Sequence, residues 1–161
     1  MGIESFGIKM RAQRHSPIAA IDHAIRSLPF VRFVRADFLG IAYEHFDQRH
    51  LIEMLLTGYD AEAEFDLSVR FALCNPDAVQ RPFIEFVRWA IAQWQPSTVW
   101  LLTSRFRKTP LLPPDYDSFL TRDGCADIQA LRESWQARFG GKRGPVRVAD
   151  AYSFAGVTNA T

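Results

Sequence analysis

Large apolar side chains occupy every second position over residues 64–74, and this pattern constrains the fold more than any other feature of the sequence. The apolar set comprises Phe65, Leu67, Val69, Phe71 and Leu73. Successive side chains of a strand point to opposite faces of its sheet, so a period of two predicts a strand with one buried and one wet face. A slip of one residue would expose the whole apolar set, and the register is therefore predicted to be tightly fixed.

Weaker patterns predict the remaining elements of an α+β domain. Alternating or β-branched runs indicate strands at 3–11, 30–34, 41–46 and 98–102. Apolar stripes at helical spacing indicate helices after Ser16, Asp47 and Arg81, and another at 125–139. The helix after Asp47 rests on Leu51, Met54 and Leu55, with Gly58 as its C-terminal cap. Val146 and Val148 suggest a short last strand.

The order of these elements predicts a fold class. The order β-α-β-β-α-β through residues 3–74 matches a ferredoxin-like core, in which a mostly antiparallel sheet carries its helices on one face. A further helix–strand unit and a C-terminal helix would extend this core. The alternative is a mixed sheet with helices on both faces. We predict a single domain over 1–161, with an irregular Pro-rich connection at 104–124 and a tail at 152–161.

Composition argues against several classes of function. The 19 basic and 18 acidic side chains nearly balance, whereas a dedicated nucleic-acid binder needs excess positive charge to neutralise phosphates. No apolar run approaches the length of a membrane span, and the N-terminus lacks the pattern of a signal peptide, so the cytoplasm is the predicted location. Cys74 and Cys125 match no metal or redox spacing, and neither a cofactor nor a metal site is predicted.

Histidines near a predicted strand-to-helix boundary are the first candidates for chemistry. His45 and His50 lie close in sequence to Glu44, and Arg70 could join them in a pocket built from dispersed residues. A small enzyme or a ligand-binding protein would follow from such a pocket. The competing interpretation is that these are surface histidines beside a helix start.

An acidic row precedes and enters the alternating strand. Asp60, Glu62, Glu64 and Asp66 recur at every second residue. On a strand that begins by residue 60, they would project from one face, roughly 7 Å apart. Such a row would bind a basic partner or a cation, or it would be neutralised by arginines such as Arg70 and Arg32 on the same face.

Trp89 lies off the centre of the apolar stripe of its predicted helix. A tryptophan on a helix surface is typical of protein interfaces. The alternative is that the Pro-rich stretch at 104–124 covers its ring.

Together these features predict a non-catalytic protein-binding module. With its acidic row, a strand running into Asn75 and Pro76, and Trp89, the chain resembles in style the immunity proteins that bacteria make against polymorphic toxins. The resemblance rests on no specific motif. It implies tight binding to a cognate toxin domain of basic charge, with Asp60, Glu62, Glu64, Asp66 and Trp89 as the partner-binding residues.

Overall fold

A computed structural model describes residues 4–58, 60–103, 108–111, 116 and 124–156. Its strands are β1 Ser5–Gln13, β2 Val31–Asp37, β3 Gly40–Phe46, β4 Leu51–Thr57, β5 Glu64–Ala72, β6 Thr98–Thr103 and β7 Lys108–Leu111. Its helices are α1 Ile18–Arg26, α2 Gln80–Trp94, α3 Gly124–Phe139 and α4 Ala151–Phe154. Single 3₁₀ turns at Asp77–Val79 and Val148–Asp150 precede α2 and α4.

All seven strands form one sheet in the order β2-β3-β4-β5-β1-β6-β7, and every neighbouring pair is antiparallel. The strands β2 to β5 are joined in sequence as a meander. Between β5 and β6 lies β1, which α2 must cross to connect them. The fold is therefore α+β with an antiparallel sheet, as the sequence predicts.

The core lies on the sheet face that α1 and α2 cover. The predicted apolar set of β5 is buried, with each of its five side chains no more than 3% exposed. Phe83 of α2 packs edge-on against Phe6 of β1 and Phe71 of β5. On the other face the polar residues of β1, β3, β4 and β5 lie side by side, and we call this the polar face.

The predicted helix after Asp47 is wrong, because Leu51–Thr57 is the strand β4. Ile52, Met54 and Leu56 are buried at alternate positions, so this apolar segment also fits a period of two, although Leu51, Met54 and Leu55 have helical spacing. With a strand in this place, the ferredoxin-like core is not confirmed, and the strand order also differs from that arrangement.

Two smaller predictions are also corrected. The expected last strand at Val146 and Val148 is absent, since the described chain forms a 3₁₀ turn and α4 there. The Pro-rich connection contains the edge strand β7, in which Pro110 is tolerated because an edge strand needs hydrogen bonds on one side only. The rest of that connection lies largely outside the described residues.

Candidate partner-binding surface

The acidic row does not form the single strand face that its spacing predicts. The strand β5 begins at Glu64, and Asp60 and Glu62 lie in the preceding turn. Arg14 holds this turn through its guanidinium, which donates to the carbonyls of Asp60 and Glu62. Asp60 Oδ1 also accepts a hydrogen bond of 2.9 Å from the backbone N–H of Ile18 at the start of α1. Asp60 therefore caps the helix that the sequence predicts after Ser16.

The strand carboxylates of this row are bound by residues of β1. Asp66 accepts hydrogen bonds from Arg11 at 2.8 and 3.0 Å and pairs with Lys9 at 2.7 Å. Glu64 accepts a hydrogen bond of 3.0 Å from Gln13. Burial alone raises the pKa of Asp66, but the hydrogen bonds from Arg11 and Lys9 outweigh it and hold the pKa below its ordinary value. Asp66 is therefore neutralised by Lys9 and Arg11 of β1, and not by Arg70 or Arg32.

Trp89 is partly buried on α2, among other aromatic rings. Its ring lies 5.5 Å from that of Phe86 and 5.0 Å from that of Trp94, measured between centroids. Trp94 in turn packs edge-on against Phe65 on the core side of β5. Because Asp66 follows Phe65 on the same strand, its side chain points to the opposite face of the sheet from the one that α2 covers. The structure does not bring Asp66 and Trp89 together.

Within the part of the chain that the structure describes, the large apolar side chains that are exposed lie along one hairpin. These side chains, which we call the hairpin patch, are Phe30, Phe33, Val34, Phe38 and Leu39. Phe38 is 83% exposed and Phe30 65%. All five lie in or beside β2 and its turn into β3. Folding does not bury them, and exposed apolar groups of this kind commonly mark interaction sites.

The tip of this hairpin is a formed turn. Asp37 Oδ1 accepts a hydrogen bond of 2.8 Å from the backbone N–H of Leu39. Gly40 has a φ of +128°, and a Cβ there would lie 2.3 Å from the carbonyl oxygen of Leu56. Only glycine fits that position. Phe38 and Leu39 are thus presented by a turn with its own hydrogen bond and a required glycine.

Phe30, at the other end of the patch, has an uncommon backbone conformation. Its φ is +62°, a value that costs a bulky residue free energy and that often accompanies functional positions. The carbonyl of Phe30 accepts a hydrogen bond of 3.0 Å from the N–H of Phe46, and its ring packs edge-on against His45. The surrounding structure therefore fixes this exposed ring in place.

Arginines border the hairpin patch. Each arginine side chain is more exposed to solvent than the carboxylate with which it pairs. The side chains of Arg26, Arg32 and Arg35 are 42, 52 and 44% exposed, against 20, 3 and 34% for the carboxylates that they bind. Arg26 also stacks over the ring of Phe33 at 4.2 Å. The outer surface around the patch is consequently richer in guanidinium groups than in carboxylates.

A row of charges crosses the polar face next to this surface. Arg32, Glu44, Glu53 and Arg70 are cross-strand partners on β2 to β5. Glu44 is buried and is bound by Arg32 and by Arg147. Burial alone raises the pKa of Glu44, but the hydrogen bonds from Arg147 and Arg32 hold it below its ordinary value. A groove of about 360 Å³ lies over Glu44, Glu53 and Arg70.

His45 and His50 are hydrogen-bonded to each other, and they lie away from this groove. His45 Nδ1 and His50 Nε2 are 3.1 Å apart, and Asp47 Oδ1 lies 3.1 Å from His50 Nδ1. Burial lowers the pKa of both histidines. Neither lines the groove that contains Glu44 and Arg70, so the residues predicted to share one pocket occupy two places.

This arrangement predicts a loss of stability in mildly acidic solution. Folding favours the neutral histidines, so the unfolded chain binds more protons and the free energy of unfolding falls as the pH drops through about 6.5. Urea unfolding between about pH 5 and 7.5 measures the effect, because carboxylates with lowered pKa values act only below that range. The variant His45→Gln/His50→Gln should flatten the profile. A level profile for the wild type would contradict the prediction.

No three His, Cys, Asp or Glu side chains described by the structure are grouped so that they could hold a metal ion. None of the described helices has the length and apolar character needed to cross a membrane.

Comparison with known proteins gives no relative. No family model matches this chain, and no characterised protein and no solved structure matches it.

Neighbouring residues in sequence could have indicated the hairpin patch. Phe38 and Leu39 fall between the predicted strands at 30–34 and 41–46, where the chain must turn. Two large apolar side chains in a turn are unusual, because turns lie on the surface. The acidic row and Trp89 remain predictions as a partner-binding site.

Proposed function

We propose that this chain is a non-catalytic protein-binding module and that the hairpin patch is its contact surface. The observation that carries the proposal is the exposure of Phe30, Phe33 and Phe38 on a formed hairpin. Protein interfaces are enriched in aromatic side chains and arginine, and both occur here side by side. The fixed turn at Gly40 supports the proposal because an ordered contact surface loses less entropy on binding.

An immunity protein is the specific form of this function that the sequence suggests. In that form the chain would bind a bacterial toxin domain in the cytoplasm and occlude its active site. The support comes from the style of the sequence and from the exposed apolar side chains of the hairpin patch. The bound state of Asp66 weakens the idea that the acidic row meets a basic toxin, since Lys9 and Arg11 already neutralise that carboxylate.

Affinity capture from the native cell tests the proposal with three baits. The first is the wild type, the second is Phe33→Ser/Phe38→Ser in the hairpin patch, and the third is Glu62→Lys/Glu64→Lys in the acidic row. We expect a discrete protein that the first and third baits retain and the second loses at least tenfold, the loss of about 1.4 kcal/mol or more that truncated hot-spot residues produce.

The other outcomes of this capture decide between surfaces. Loss of the partner with the third bait alone would place the interface on the acidic row. Equal recovery by all three baits would refute both surfaces. Circular dichroism of each bait confirms that it is folded before capture. Co-production of the recovered partner with and without this chain then shows whether the partner is a toxin that the chain neutralises.

A second candidate function is a small enzyme or ligand-binding protein. The contacts among the side chains of Asp47, His50 and His45 favour this function, because a carboxylate that orients one histidine is a common element of acid–base sites. Thermal unfolding in the presence of a metabolite panel tests this candidate. A compound that raises the melting temperature of the wild type but not of His45→Gln would support it, and no such compound would count against it.

A further inference from the structure

The outer edge of β2 carries no strand in the described structure. This strand ends the sheet order, and every residue from Arg32 to Asp37 is exposed. Among the described residues, no backbone group of another segment binds this edge between Arg32 and Asp37. An edge of this kind offers backbone N–H and C=O groups to an added strand.

The charges beside the edge of β2 determine which kind of strand can pair with it. Arg32 and Arg35 lie on β2 itself, and Arg26 reaches Phe33 from α1. Glu44 and Asp22, the carboxylate partners of Arg32 and Arg26, are turned further inward, and Asp37, the partner of Arg35 at the end of β2, is less exposed than Arg35. Opposite charges on facing strands stabilise a pair, and like charges destabilise it. The edge therefore favours a strand whose side chains include carboxylates.

A second copy of this chain fits the edge poorly. Pairing β2 with another β2 would bring the arginines of two copies together on one surface. The strand also has a bulge between Phe33 and Arg35, where its register with β3 shifts. Bulges and charged residues on edge strands are devices that limit pairing between identical edges. The occupant is accordingly a different chain, and the segment that pairs is short because β2 has only seven residues.

We propose that the outer edge of β2 binds a short extended segment of a partner protein in which acidic and apolar residues alternate. The carboxylates would face Arg32 and Arg35, and the apolar side chains would pack on Phe33 and the rest of the hairpin patch. Backbone hydrogen bonds would supply affinity, and the side chains would supply selectivity. This inference rests on the proposed function and names the chemistry of its partner, which is acidic rather than basic.

A phage-displayed library of random peptides tests this inference without a known partner. The library is selected on the wild type and depleted on Phe33→Ser/Phe38→Ser, so that the peptides kept depend on the hairpin patch. We expect these peptides to carry Asp or Glu at alternate positions among apolar residues. Peptides rich in Lys or Arg, peptides without a charge bias, or no patch-dependent peptide at all would overturn the inference.

A matched pair of variants then tests the role of the arginines. Arg35→Glu should weaken the binding of the selected peptides about tenfold at low salt, and the loss should shrink at high salt because screening reduces it. Arg81→Glu is the control, since Arg81 is an exposed arginine on α2 that also pairs with a nearby carboxylate. Equal effects of the two variants would refute the role of Arg35.

This experiment and the capture experiment can fail separately. A partner captured through the hairpin patch, together with a failed peptide selection, would leave the protein-binding function intact and remove only the strand-addition mode. Selected acidic peptides without a native partner would support the strand-addition mode and leave the protein-binding function in the cell without support.

Discussion

Replacing Phe71 with alanine lowers the free energy of unfolding by about 3–5 kcal/mol, the range that a fully buried phenylalanine usually gives. The ring of Phe71 is inaccessible to solvent and packs against Phe6 and Phe83, with ring centroids 5.9 and 5.1 Å away. The guanidinium of Arg132 lies over the same ring. Urea unfolding followed by circular dichroism measures the loss.

Phe38→Ala is the matched control for this prediction. It removes the same side chain from the exposed tip of the hairpin, where we expect a change within about 0.5 kcal/mol. A loss comparable to that of Phe71→Ala would mean that Phe38 stabilises the fold, and the hairpin patch would then have a structural explanation. A small loss leaves its exposure to be explained by function.

Replacing Asn75 with alanine is expected to cost about 2–4 kcal/mol, since it leaves buried polar groups without partners. Asn75 is fully buried just after β5. Its Oδ1 accepts a hydrogen bond of 2.8 Å from the N–H of Leu51, and its Nδ2 donates to the carbonyl of Val146 at 3.0 Å. The side chain therefore ties the start of β4 to the segment that precedes α4.

Two measurements check the Asn75 prediction. Urea unfolding gives the loss of stability, and hydrogen exchange should show faster exchange at the amide of Leu51. Gln129→Ala is the control, because the Gln129 amide is exposed and binds the neighbouring Glu133 side chain. A cost below about 1 kcal/mol for Asn75→Ala, or no change at Leu51, would contradict the account of this link.

The elements with an unambiguous period were predictable from the sequence. Residues 64–71 alternate between polar and apolar side chains, and β5 occupies Glu64–Ala72. The sequence also predicts a helix after Arg81 and another at 125–139, and their bounds agree within a residue or so with α2 and α3. In these segments local preference and tertiary packing agree.

The strand β4 was not predictable because its residues satisfy two periods at once. Leu51, Met54 and Leu55 have helical spacing, and leucine and methionine have high helix propensity. Pairing with β3 and β5 overrides that preference, since Met54 and Leu56 fill the core between those strands. Such pairing is a property of the whole sheet and is not visible in a local window.

The surface chemistry was less predictable than the fold, because it depends on contacts between distant residues. Asp66 meets Arg11, which precedes it by 55 residues, and Glu44 meets Arg147 near the end of the described chain. Sequence patterns show the acidic row but not the cations that neutralise it. Likewise, the strand at β2 was predicted, but its place at the edge of the sheet follows only from the order of all seven strands.

Photo-crosslinking in the native cell tests the central claim most directly. Benzoylphenylalanine replaces Phe38 in the hairpin patch, Glu62 in the acidic row or Trp89 on α2, one position at a time. The account predicts that only the probe at position 38 forms a covalent adduct with a discrete protein. Adducts from position 62 or 89 without one from position 38 would show that the hairpin patch is not the contact surface.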